Sequence, residues 1–249
     1  MQTSKASSWK EFEQLTSGLP AGALFRGQTR AVWKLQHSLE RYSAIPFSVQ
    51  RYNACLLRIK PALESYSGRS VSLVENTEDY PANAIPPNYE FMCHVRHLGF
   101  PSPLIDWSRS AWIALFCAFQ NATLDEEVAV YVYTPPGSAD SSSSQIILQP
   151  QPYLPPKSVH YLQQNQFTLA LKKINRDWFY ASHEEICNAQ PEQHALHKIT
   201  LPGYLKFSML KNVHDMNINA YTLNGTEDGL MHTLAFTEIL QYNEAMMNT

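Results

Sequence analysis

The segment from Arg96 to Phe119, RHLGFPSPLIDWSRSAWIALFCAF, restricts most tightly how this chain can fold. In its second half Trp112, Leu115, Phe116 and Phe119 recur at helical spacing, while Ile113 and Cys117 fill the remaining sides. A helix that is apolar nearly all round must be enclosed by protein, so the spacing predicts a central helix. Ser108 or Asp106 is expected to cap it, accepting from the unpaired N–H groups of its first turn. The Gly- and Pro-punctuated segment before it, which carries His97 and Asp106, is thereby pinned against the core. At this level those polar residues read first as an ordinary turn and cap, with chemistry as the alternative.

A chain of 249 residues can bury a substantial core as one domain. Its 19 basic and 22 acidic residues leave a net charge of −3, which excludes a strongly polyionic protein. Cys55, Cys93, Cys117 and Cys187 are scattered without C-x-x-C spacing, as expected for reduced thiols rather than a disulfide framework. The N-terminal MQTSKASSWKEFEQL lacks the apolar core of a signal peptide, and the longest apolar run, Ala111 to Phe119, is half a membrane span. The expectation is a soluble cytoplasmic protein with no membrane contact.

Along the chain, Ser8 to Leu15 is predicted as a first helix with Trp9, Phe12 and Leu15 on one face. Ala21 to Gly27 is predicted as a buried strand ending in Arg26-Gly27-Gln28. Helices are expected over Gln50 to Tyr66, interrupted at Pro61, and over Asn88 to Leu98, stopped by Gly99. Glu127 to Thr134 alternates and is β-branched, the clearest strand. Gln145 to Gln149, Gln166 to Leu171 and Leu196 to Leu201 are further strands, with a Ser-rich loop at 137–144 and a Pro-rich stretch at 150–156. Gly203 to Met216 is amphipathic, and a last helix follows Glu227-Asp228-Gly229. Strands and helices do not alternate regularly, so the fold class is α+β.

Arg26 ends an apolar strand, where its guanidinium fork can hold a carboxylate or phosphate or make a structural ion pair. Residues 26 to 69 hold eight basic residues against Glu40 and Glu64, a local charge of +6. Trp33, Tyr42, Tyr52 and Tyr66 are interleaved with them, a pattern that suits stacked bases or a solvated helix face. There is no Walker loop, G-x-G-x-x-G, G-x-S-x-G or H-E-x-x-H. Cys93, His94 and His97, and His183, Cys187, His194 and His197, lack the second half of a zinc spacing, so no metal is expected.

Phe25-Arg26-Gly27-Gln28, followed by Trp33-Lys34-Leu35 and Ser38-Leu39-Glu40-Arg41, resembles the opening signature of FRG domains. Residues Arg96 to Ser108 resemble the family's second block, Gln-His-Tyr-Gly-Leu-Pro-Thr-Arg-Leu-Leu-Asp-Trp-Thr. Gln163 with Phe167-Thr168, and Asp228-Gly229-Leu230, are similar to later elements. Arg96, Pro103 and Asn165 stand where the family has glutamine, arginine and glycine. If the arginine missing at Pro103 binds substrate in relatives, this chain must do so otherwise. The resemblance implies an FRG domain over residues 21–240, preceded by a helical extension (1–20) and followed by a tail (241–249).

It further implies a single domain like the ADP-ribosyltransferase fold, with mixed sheets and flanking helices, in a bacterial toxin–antitoxin or anti-phage setting. The activity implied is NAD-dependent mono-ADP-ribosyl transfer, with NAD as co-substrate. Arg26, Gly27, Gln28 and Asp228 would then bind NAD, and His97 and Asp106 would shape or polarise the pocket. Glu227 would orient the ribose, with Asp228 and Glu238 as alternatives. Arg41, Arg51 and Arg58 would receive an RNA acceptor, and an antitoxin, with or without a chaperone, would be the protein partner. The alternative implied is a non-catalytic module that binds an anionic ligand or a phage component.

Overall fold

The computed structural model describes residues 1–76, 80, 84–136, 143–150 and 161–247, the last eight by backbone alone. The chain is α+β, with one mixed sheet in the order β1-β8-β4-β2-β3-β6-β5 and β7 paired to β6. The strands are β1 (Gln2–Lys5), β2 (Leu24–Gln28), β3 (Ile105–Ser108), β4 (Glu127–Thr134), β5 (Gln145–Leu148), β6 (Asn165–Ile174), β7 (Asp177–Tyr180) and β8 (Ala195–Pro202). The helices are α1 (Trp9–Ser17), α2 (Ser38–Tyr42), α3 (Val49–Ser67), α4 (Tyr89–His97), α5 (Ala111–Phe119), α6 (His183–Ala189), α7 (Lys206–Asp215), α8 (Ala220–Asn224) and α9 (Glu227–Met247).

Strand β4 spans the expected residues, six of its eight fully buried, because it lies between β2 and β8 in the sheet interior. Residues 2–5, expected within a helical extension, instead form β1 and pair in parallel with β8. Helix α9 continues through residues 241–247, which had been assigned to a tail. Asp106-Trp107-Ser108, expected as a turn, belongs to strand β3, paired with Phe167, Gln166 and Asn165 of β6 respectively. The α5 cap moves with it: Ser110, not Ser108 or Asp106, accepts from the Ile113 amide. The Ser-rich loop at 137–144 and the Pro-rich stretch at 150–156 lie largely outside the described residues.

Helix α5 is central as its composition demands, with Ile113 to Phe116, Ala118 and Phe119 all buried. One sheet face carries two helical groups. Phe25, Val130, Val132 and Ile199 pack under α5, α7 and α1, where Trp9 stacks on Trp112 at 4.5 Å. Phe167, Leu169 and Leu171 pack with residues of α3 and α4. The opposite face buries Trp107, Tyr131 and Tyr133 with Ile186 and Cys187 of α6. The seam between the two helical groups falls along β3, where the polar residues of this face cluster.

Candidate anion-binding site

Strand β2 pairs with β4 over all five residues but with β3 only through Phe25 and Ser108. Beyond that pair β2 and β3 make no further ladder, and Arg26 bridges them. Its Nη1 donates to the Asp106 carbonyl at 2.8 Å and to Asp106 Oδ1 at 2.5 Å. Arg96, in the last turn of α4, donates to the same Oδ1. Among the described residues, the Arg26 Nε–H is buried without a hydrogen-bond partner.

Burial alone would raise the Asp106 carboxyl, but the guanidinium charges of Arg26 and Arg96 override it and hold the group well below the usual carboxylate range. The carboxylate is therefore ionised, and two cations around one anion leave the cluster with a charge of +1. The Asp106 side chain remains 40% exposed, so solvent and ligands can reach this charge.

Around it the sheet register sets the neighbours. Cross-strand partners share a face, so Asp106 and Phe167 lie on one side of the sheet with Ser108 and Asn165. His97 Nδ1 lies 2.7 Å from the Cys93 carbonyl oxygen, which can only accept, so Nδ1 carries a proton. The His97 ring meets Phe167 edge-on at 6.3 Å. Cys117, the exposed residue of α5, lies near the same charges. The protein packed around its sulfur and the Asp106 carboxylate push the thiol up to about 11, so it stays protonated at neutral pH.

Gly27 has a packing task. A Cβ there would lie 2.0 Å from the Ala114 carbonyl oxygen and 2.5 Å from the Ala118 nitrogen. The residue is glycine because α5 lies directly on β2, and this close approach brings Cys117 toward Arg26 and Asp106. Gln28 is buried, donating from Nε2 to the Lys34 carbonyl at 3.3 Å.

The structure brings Arg26, Asp106 and His97 to one seam and places the remaining candidates elsewhere. Glu227 and Asp228 are exposed in the first turn of α9, where Asp228 faces His232 at 3.6 Å, and Glu238 is exposed further along that helix. Arg41 and Arg58 are exposed, and Arg51 lies over the Phe47 ring at 4.5 Å. Of the interleaved aromatics, Tyr42 and Tyr66 are open, but Tyr52 is core: its hydroxyl donates to the Pro101 carbonyl and its ring meets Tyr180 edge-on. His183, His194 and His197 engage Thr168, Tyr133 and Ser4 respectively. Arg96 and Cys117 had no assigned role in the sequence. The only signal for Arg96 was its departure from the family's glutamine, and for Cys117 its place on the central helix.

Among the described residues no helix is long and apolar enough to cross a membrane. No curated protein and no solved structure matches the chain. The stretch that supplies Arg26, Gly27, Arg96, Asp106 and Cys117 matches the sequence model of the FRG domain, over residues 21–127.

Proposed function

We propose that the seam binds a phosphate-bearing nucleotide, with Arg26 and Arg96 as its anion anchors and Asp106 as the group that orients them. The observation that carries this reading is one carboxylate oxygen shared by two guanidinium groups, which leaves net positive charge at a solvent-reachable point. Each guanidinium has five N–H donors, and the described hydrogen bonds use Nη1 of Arg26 and Nη2 of Arg96. Such planar forks match phosphate oxygens in pairs. NAD is the first nucleotide to test, on the strength of the FRG resemblance.

The test is thermal unfolding with pyrophosphate or NAD added at millimolar concentration. Both should raise the melting temperature of the native protein, less so as salt increases. Arg96→Gln, with its circular dichroism spectrum unchanged, should lose most of the shift. No shift with either ligand in the native protein sinks the reading.

The ionised Asp106 favours a second reading, ADP-ribosyl transfer. A carboxylate kept charged beside the anion anchors can stabilise the cationic ribose centre as nicotinamide leaves. Asp106 would take the part assigned by resemblance to Glu227, which stands exposed on α9. The exposed Arg41 and Arg58 keep an RNA acceptor within that reading, and a toxin of this kind would need an antitoxin. Nicotinamide release from labelled NAD separates transfer from binding alone.

A further inference from the structure

A cavity of about 440 Å³ lies between α5, α7, α8 and α9, and it shares no residue with the anion site. Phe116 of α5, Leu210 of α7, Ala220 of α8 and Phe236 of α9 line it, and among the described residues its lining holds no Lys, Arg, Asp or Glu. Met231 and Ala235 also line it and are exposed, so it opens to solvent along α9. That helix packs on α8 at Gly229, where a Cβ would lie 2.7 Å from the Ala220 carbonyl oxygen. His232, Ala235 and Ile239 follow at four- and three-residue spacing on one side of α9, and Ile239 is 59% exposed. A helix with apolar side chains on a second, exposed side is built to bury them against a further partner.

The charge around this groove has one sign. Residues 212–249 hold five acids and no Lys or Arg, a local charge of −5 in a chain of −3. Lys211, the last basic residue, is engaged by Asp215 at 3.2 Å. Glu227 and Asp228 lie one turn before Met231 and His232, and Glu238 one turn beyond Ala235, all three exposed. An apolar lining with an acidic rim repels anionic lipid head groups and suits a cationic partner with an apolar stripe. We infer that the groove docks an amphipathic, basic helix of a partner protein, whose apolar side chains enter between α9 and α7 while its Lys or Arg side chains meet Glu227, Asp228 and Glu238. This is the helix-in-groove mode of recognition. Met231 to Ile239 rises about 12 Å, enough for anchors at i, i+3 or i+4, and i+7 of the incoming helix.

Fluorescence anisotropy of the whole chain with a labelled peptide of about 15 residues, long enough to hold a helix in water, tests this. The peptide is built of Leu, Ala and Lys with Leu at i, i+3, i+4 and i+7, and its control carries Glu in place of every Lys. The Lys peptide should bind about tenfold more tightly than the Glu peptide, and the difference should shrink as salt rises. Met231→Gln combined with Ile239→Gln, both at exposed positions, should weaken the Lys peptide about tenfold with the circular dichroism spectrum unchanged. Glu238→Lys alters the rim alone and should weaken it about threefold, a readout that stands even if the double variant unfolds. No binding of the Lys peptide, equal binding of the two peptides, or binding that survives both variants overturns the inference. A native chain that sediments as a dimer, and as a monomer once Met231 and Ile239 are replaced, assigns the groove to a second copy and overturns a separate partner.

Discussion

At the scale of single residues, Gly27 is the least replaceable position of the site. Gly27→Ala sets a methyl group against two backbone atoms of α5, so helix and strand must part. The expected cost is about 3 kcal/mol, the upper end for overpacking, measured by urea unfolding. Gly18→Ala is the control, since nothing lies within 4 Å of a Cβ there. Acid sensitivity belongs to two other residues. Burial, then the charges of Arg96 and Arg41, holds His37 down to about 3 from its ordinary 6.5. As pH falls below 6.5 the unfolded chain takes up this proton while the folded chain does not, so stability drains between 6.5 and about 3. Asp106 acts lower: its stabilisation is complete above its ordinary 3.8 and is lost as pH falls toward its depressed folded value. His37→Asn, which can still cap α2 by accepting from Glu40, should flatten the acid limb between pH 6.5 and about 3 and leave the further loss that Asp106 brings below it.

At the scale of elements, β3 joins the two faces. Trp107 Nε1 donates to Thr168 Oγ1 at 2.7 Å, and the same hydroxyl is hydrogen-bonded to His183 Nε2, also at 2.7 Å. All three side chains are buried. Thr168→Val strands both partners and should cost about 2–4 kcal/mol, whereas Thr168→Ser keeps the hydroxyl and should cost about 1 kcal/mol, again by urea unfolding. Elements with strong internal periodicity were legible in the sequence. The apolar run of α5 and the alternation of β4 announced themselves because each is buried on more than one side. The short strands were not. Gln2–Lys5 and Asp177–Tyr180 owe their conformation to β8 and β6, and Ile105–Ser108 carries turn-forming residues that its pairing with β6 overrides. Local composition does not encode a partner as far along the chain as His197 is from Gln2.

At the scale of the molecule, the site is a property of the seam rather than of a motif. Arg26 and Asp106 stood out as a strand-end arginine and a possible helix cap, and the fold joins them through the gap between β2 and β3. Arg96 was hidden because its role depends on where α4 ends relative to β3. The acids of α9 are candidates by resemblance alone, and a resemblance in sequence carries no information about which face a helix presents. The matched stretch ends at residue 127, yet Asn165 and Phe167 of β6 line the same face as Asp106. The seam is therefore complete only with the second half of the chain.

The parallel pairing of β1 with β8 sets an order of events during synthesis. Gln2–Lys5 leaves the ribosome first, but its partner, His197–Thr200, emerges only after nearly two hundred further residues. At about 5–20 residues per second, β1 waits on the order of ten seconds or more with its backbone unpaired. Strand β8 must be out before β4 gains its second neighbour, so the middle of the sheet also stays open for most of translation. The nascent chain thus spends that interval as a half-built sheet with apolar strands exposed, the state in which a holding chaperone has most to bind.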